Sequence, residues 1–281
     1  MSDALLPLSR LSPRQAARFR FVLSDIDDTL TDDGRLSADA YAALEALRRS
    51  GRIVILVTGR PAGWCDLIAR FWPVDAVVGE NGAFFFRYDR ARRRMIRKFR
   101  RSEAQRRTDT VRLRKMFATL AREFPGIGLA ADQPYRISDI AIDVCEDRRP
   151  LPTRAVERII ARLEAMGATV KLSSIHINAW IGDFNKLQMI RALLTGTWHL
   201  DAAAMQAQCV YLGDSPNDEP MFEFFETSVG VANIRAFAGR MSVLPRYVTQ
   251  MPGGRGFQEF ARLVLGGSSL TRRGQAAINS S

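Results

Sequence analysis

Short runs of consecutive apolar residues alternate along this chain with longer stretches in which apolar residues recur every three or four positions. FVLS, beginning at Phe21, is apolar up to its last residue and runs into the acidic loop DIDDTL, the pattern of a strand buried on both faces. Ser37 then precedes ADAYAALEALRRSG; the apolar spacing is helical, Ser37 can cap its start and Gly51 can end it. RIVILVTGR repeats the apolar run with a polar end, a helix is predicted from Ala62 to Phe71, and the short strand AVVG follows. Strand, helix, strand, helix, strand predicts a parallel sheet with right-handed crossovers. Ligands of such sheets bind beyond the carboxyl ends of the strands, where DIDDTL and TGR both lie.

From Phe84 the texture changes to FFFRYD, an Arg-rich run, a helical TDTVRLRKMFATLAREF, and alternating segments around ISDIAIDV and ATVKLSSIHINAWIG with another helix between them. Alternation of this kind predicts antiparallel strands facing a core on one side. The parallel pattern resumes after Asp183 with a helix containing Lys186, the strand CVYLGD, the loop SPND and a late strand near SVGVAN. The expected organisation is an α/β chain of two domains. Residues 1–84 and 184–267 form a discontinuous core around a parallel sheet, residues 85–183 form an inserted α+β domain, and the small, polar tail 268–281 is expected to be flexible. No internal repeat is found.

Composition narrows the function classes. With 281 residues, 47% apolar and 25% charged, the chain can bury a substantial core, which excludes wholesale disorder. Three cysteines, Cys65, Cys145 and Cys209, stand far apart without a CxxC spacing. They suggest neither a disulfide framework nor a zinc site, and they fit small buried side chains in a reducing cytoplasm. No stretch reaches the roughly 20 apolar residues that span a bilayer, and the N-terminus has no apolar core of a signal peptide, so no membrane association is expected. Only His176 and His199 are available as histidines, which leaves acid–base work to carboxylates. The net charge of +11 is local, because residues 87–115 hold twelve Arg and two Lys against Asp89, Glu103 and Asp109. That stretch is either a surface for polyanions or a solvated face; without interleaved aromatics or a nucleic-acid module, a nucleic-acid partner is not expected.

Four segments carry chemistry. Asp25 and Asp27 are two positions apart in DIDDTL, so both can project into one loop-lined site, one to attack and one to manage protons. GDSPND offers Asp214 and Asp218, hard oxygen donors of the type magnesium takes, although Asp, Ser, Asn and Pro are also ordinary turn residues. Thr58 in TGR adds a hydroxyl and Lys186 a fixed cation, the donors a phosphoryl oxygen needs. Singly, Thr58 reads equally as a strand end and Lys186 as a solvated helix residue.

The ordered set DIDDTL, TGR, Lys186 and GDSPND resembles the four motifs of the haloacid dehalogenase superfamily of phosphohydrolases. An insertion between the second and third motifs resembles the type-IIB cap group, to which sucrose-phosphate, mannosyl-3-phosphoglycerate and trehalose-phosphate phosphatases belong. ENGA at 80–83 and PGGRGF at 252–257 also look like loops of that group. The resemblance implies a Rossmann-like core with a C2B-type α+β cap. It also implies a magnesium-dependent phosphatase in which Asp25 is the nucleophile, Asp27 the acid–base residue, Thr58 the phosphoryl holder and Lys186 the neutralising cation. The metal would be held by Asp25, a backbone carbonyl of Asp27 and Asp214, with Asp218 helping through the metal shell or by orienting Lys186. Asp28 departs from the pattern, standing where the family often has Gly.

For the substrate, a small phosphorylated sugar or sugar-acid metabolite is expected, with Gly59, Arg60, Asn81, Arg136, His176 and Asn178 as contacts. Polar residues alternate near Arg136, Ser138, Asp139 and Asp143 and again near His176, Asn178, Trp180 and Asp183, as if one face were lined for hydroxyl groups, with Trp180 as a stacking surface. These residues read equally as ordinary sheet positions. Two other functions stay open: a phosphomutase of the same fold, and binding of nucleic acid or an acidic partner through 87–115.

Overall fold

In a computed structural model that describes residues 5–173 and 175–266, the uninterrupted apolar runs become neighbours in one sheet. Chain order gives β1 (Leu6–Pro7), α1 (Pro13–Ala16), β2 (Phe21–Ser24), α2 (Ala38–Arg49), β3 (Ile53–Val57), α3 (Ala62–Phe71), β4 (Ala76–Gly79), β5 (Phe84–Asp89) and β6 (Arg94–Phe99). An inserted segment supplies α4 (Glu103–Glu123), β7 (Asp139–Asp143), α5 (Thr153–Ala165), β8 (Thr169–Leu172) and β9 (His176–Trp180). Then follow α6 (Lys186–Trp198), α7 (Ala202–Gln208), β10 (Cys209–Gly213), α8 (Glu219–Phe224), β11 (Ser228–Gly230), β12 (Tyr247–Val248) and α9 (Gly253–Val264). The expected tail, 268–281, lies outside the described residues.

The large sheet has the order β1-β12-β11-β10-β2-β3-β4-β5-β6 and is parallel from β1 to β4. Its central strands are buried on both faces because helices cover both. One face packs Leu44 and Leu47 of α2, Ile68 of α3 and Phe257 and Phe260 of α9; the other packs Met189, Ile190 and Leu193 of α6 with Met221 of α8. A separate three-stranded antiparallel sheet, β7-β9-β8, has its own core against Leu113, Met116 and Leu120 of α4 and Ile159 and Leu163 of α5. Among the described residues no helix is long and apolar enough to cross a membrane.

Four expectations need correction. The boundary at residue 85 assigned β5 and β6 to the insertion, but both extend the large sheet in antiparallel pairing. The reason is FFF: Phe84 and Phe86 enter one face of the core and Phe85 the other. The helix read from TDTVRL begins earlier, at Glu103, where Ser102 and Gln105 form a capping box. PGGRGF opens helix α9 instead of a loop; a Cβ on Gly253, at φ +47°, would meet Asp32, so glycine lets this helix start lie against the loop that follows β2. Finally, Trp180 is buried in the core and stacked on Phe184, so it offers no surface to a sugar ring.

The Arg-rich stretch becomes the edge strand β6, its hairpin turn and the first half of α4. Arg97 pairs with Asp66, Arg101 with Asp109 and Arg92 with Asp89, and Arg106 lies 3.8 Å over the Phe99 ring. Exposed Arg94 and Lys98 remain along β6. Charge on an edge strand keeps it from pairing with another sheet, which gives part of this basicity a structural use.

Buried polar contacts fasten the two sheets' domains together. Glu80, fully buried, accepts from the Ala62 and Ile137 amides at 3.0 Å through Oε1 and from the Ser138 amide at 2.6 Å through Oε2. Arg136 donates to both oxygens of Asp132 (2.9 and 3.1 Å), to Asp139 (3.1 Å) and to the Gly59 carbonyl (2.9 Å). Because both Glu80 oxygens face N–H donors, Glu80→Gln would set an NH2 against a backbone N–H. It is expected to lower unfolding stability by about 3 kcal/mol, read from the midpoint shift in urea at unchanged slope.

Candidate active site

The chain runs outward from β2 through β3 to β4 and, in its second half, outward the other way from β10 to β11 and β12. The adjacent strands β2 and β10 therefore mark the topological switch point, where a crevice opens beyond the strand ends. Asp25 is the first residue after β2, with its amide donating to the Leu212 carbonyl at 3.0 Å, and Asp214 is the first after β10. Thr58 follows β3 directly and Lys186 is the first residue of α6. All four motif segments therefore meet at one crevice.

Lys186 Nζ lies 2.6 Å from Asp25 Oδ1 and 3.1 Å from Asp218 Oδ1. Asp218 also accepts from the Tyr211 hydroxyl at 2.5 Å and from the Asp214 amide at 3.1 Å. Asp218 thus touches Lys186 through one oxygen and the 214 loop through the other. Lys186 is set by its neighbours as well: Asn185 caps α6 by accepting from the Gln188 amide, and a Cβ on Gly82, at φ +101°, would meet the Asn185 carbonyl at 2.1 Å. Glycine in ENGA lets that loop seat directly under the helix start. Asp28 has φ +59°, a left-handed conformation that accounts for glycine elsewhere and that Asp tolerates.

Carboxylates crowd this crevice. Burial pushes Asp25 up to about 8 against the pull of Lys186, with Asp218 and Asp27 adding to the rise. Burial, then Asp218, Asp25 and Asp28, also carry Asp214 well above the usual carboxylate range. Burial opposes the charge on Lys186, but Asp218 and Asp25 more than offset it and hold the ammonium above its ordinary value.

A cleft of about 390 Å³, part of it open to solvent, is lined by Asp25, Asp27, Gly59, Arg60, Asn81, His176, Asn178 and Asp214, with Ser173, Ile175, Ser215 and Asn217 besides. Core strand ends and the β8–β9 turn of the inserted domain thus face each other across it. Five of the six expected substrate contacts line the cleft. Arg136 does not: its guanidinium is buried in the ion network with Asp132 and Asp139. Thr58 is fully buried, accepts from the Arg60 amide at 2.9 Å and so shapes the TGR loop while its own proton stays free to donate.

Arg60 reaches across the cleft. Its Nε and Nη2 lie 2.9 and 2.8 Å from Asp27 Oδ1, and its Nη1 lies 2.8 Å from Glu146 of the inserted domain. Glu146 Oε2 in turn lies 2.8 Å from His176 Nε2, and His176 first, with Arg60, holds the Glu146 carboxyl down to about 2 against its burial. Sequence reading missed Glu146, which sits in the irregular segment CEDRR after β7 where no periodicity marks it; Asp143 fixes that turn by accepting from the Glu146 and Asp147 amides.

A divalent cation fits the donor set. Among the described residues no three His, Cys, Asp or Glu side chains form a cage of their own. Magnesium, which keeps several waters and takes one or two carboxylates, matches Asp25 and Asp214 beside a crevice whose nearest fixed cation is Lys186.

A family model of haloacid dehalogenase-like hydrolases matches residues 22–121, which include the first two motifs. No curated protein sequence matches the chain. Among solved structures, the chain is similar to the C-terminal domain of a C. albicans trehalose-6-phosphate phosphatase, at TM-score 0.69 and 15% identity over 95% of this chain and 99% of that one. A Thermoplasma acidophilum protein matches at 0.67 and 18% over 88% and 98%. The sucrose-phosphatase of Synechocystis, solved with sucrose and phosphate, matches at 0.60 and 17% over 86% and 96%. At these identities the likeness is one of fold. The match of residues 22–121 to that family model, which takes in the first two motifs, agrees with the meeting of all four motif segments at the switch point.

Proposed function

We propose that this chain is a magnesium-dependent phosphatase of the haloacid dehalogenase-like hydrolases that cleaves a small phosphorylated sugar or sugar acid through an aspartyl-phosphate on Asp25. The observation that carries the reading is the ammonium of Lys186 at 2.6 Å from Asp25 and 3.1 Å from Asp218, a buried cation beside a carboxylate where a phosphoryl group must be neutralised.

In this reading an Asp25 carboxylate oxygen attacks phosphorus, and the bond to the leaving oxygen breaks as that oxygen takes a proton from Asp27. Asp27 then removes a proton from water, the water oxygen attacks the same phosphorus, and the Asp25 carboxylate departs with phosphate released. Splitting the reaction this way replaces one difficult displacement by two. Thr58 and the amides of its loop receive the phosphoryl oxygens, and Lys186 offsets their charge. Asp25, the Asp27 carbonyl and Asp214 would hold magnesium, which when bound supplies further charge neutralisation at the phosphoryl group. Residues 101–183 act as the cap, and residues 5–100 and 184–266 as the core. The three free thiols support a reducing cytoplasm as its setting.

Phosphate release from sugar phosphates, sugar-acid phosphates and nucleotides, with magnesium and after chelation, tests this. Release that stops with chelation, returns with magnesium and is fastest on a sugar phosphate or sugar-acid phosphate is expected. Release indifferent to chelation, or an isomerised sugar phosphate without free phosphate, would contradict it.

A further inference from the structure

The cleft meets the leaving group with Arg60, His176, Asn81 and Asn178. Of these, Arg60 carries the fixed positive charge that a second anionic group on a substrate would seek. That guanidinium is already occupied. Asp27 takes Nε and Nη2, Glu146 takes Nη1 at 2.8 Å, Asp132 stands 3.8 Å from the same nitrogen, and one face lies 4.6 Å from the centre of the Trp64 ring. His176 Nε2 lies 2.8 Å from the other oxygen of Glu146. Two carboxylates in direct contact with one guanidinium leave this wall with no positive charge to spare.

The neutral groups point the other way. Asn178 Nδ2 donates to Asp139 at 3.2 Å, which turns its Oδ1 toward Gly59, where an added Cβ would lie 3.5 Å from it. Asn81 Nδ2 is buried without a partner and lies 3.3 Å from the same point. An unpaired amide donor and an amide acceptor therefore lie close together beside Gly59, on side chains that both line the cleft. Such a pair fits a hydroxyl group, which both accepts and donates.

We infer that the leaving-group side of this cleft selects a neutral polyhydroxyl group and rejects one carrying a carboxylate, because Glu146 and Asp27 hold Arg60 out of use. The inference rests on the phosphatase reading above and narrows it, removing sugar acids from the substrate class. Glu146 acts here through Arg60 as a positioning residue; its release would return a guanidinium edge to the cleft.

Matched pairs test it: glucose 6-phosphate against 6-phosphogluconate, and glycerol 3-phosphate against 3-phosphoglycerate, with p-nitrophenyl phosphate as a general substrate. The wild type is expected to favour the neutral member of each pair by about 30-fold or more in kcat/KM. Glu146→Gln is expected to shrink that preference about tenfold, mainly by lowering KM for the acid member. Each ratio is taken within one preparation, so loss of folded protein cancels, and the wild-type ratio decides even where the variant does not fold. Equal rates within pairs, with p-nitrophenyl phosphate hydrolysed, would overturn the selectivity and leave the phosphatase reading standing. A wild-type preference that Glu146→Gln leaves unchanged would overturn the assignment to Arg60. No release from any of the five compounds would bring down the phosphatase reading and this inference with it.

Discussion

Asp25→Asn is expected to reduce phosphate release by at least about 10⁴-fold without unfolding the protein. The amide keeps the shape of the carboxylate and an oxygen that can still accept from Lys186, which lies 2.6 Å away, but it has no charge with which to attack phosphorus. Burial and the neighbouring carboxylates push Asp25 up to about 8, so ionising it in this environment is costly and a neutral amide there is not. The variant should therefore melt no lower than the wild type. Loss of turnover in a protein that still unfolds cooperatively at or above the wild-type temperature assigns the effect to chemistry. A folded variant that retains more than about a tenth of the activity would move the nucleophile elsewhere.

Lys186→Met is expected to affect both activity and stability. Asp25 and Asp218 are buried against this one ammonium, and removing it strands two carboxylates, at a cost of about 3–5 kcal/mol. Turnover should fall about 10³-fold because the charge facing the phosphoryl oxygens is gone. Arginine should not restore it: Gly82 packs against the backbone at the start of α6, and a planar guanidinium cannot take the place of a compact ammonium between two fixed oxygens. The double variant Lys186→Met with Asp218→Asn separates the effects, since it should recover part of the lost stability and none of the activity. Recovery of both would show that Lys186 serves the fold alone.

The parts of this molecule legible from sequence are those in which a local pattern and its tertiary role coincide. FVLS, RIVILV and CVYLG are buried on both faces and read as such, and the polar residues just beyond them had to fall at the crevice. Ser37 and Gly51 bound α2 as their chemistry dictates. The two-residue strands β1 and β12 were invisible because two residues carry no periodicity. The assignment of β5 and β6 was decided by which sheet had an open edge, a property of the assembled fold. In the site, motif spacing was enough to bring together Asp25, Lys186 and Asp218. It could not tell a lining residue from its support: Arg136 and Asn178 both come from polar positions of the inserted domain, yet one is sealed in an ion network and the other faces the cleft. Glu146 was missed because it acts through a guanidinium 86 positions away in the chain.

The most direct test of the account is acid quench of the wild type during turnover of p-nitrophenyl phosphate with magnesium, followed by mass analysis of the peptide that contains Asp25. The account predicts a phosphoryl group on that peptide, on Asp25 itself, present during turnover and absent once substrate is exhausted. Steady release of phosphate with that peptide unmodified at every quench time, under conditions that preserve acyl phosphates, would contradict the covalent route and with it the role given to Asp25.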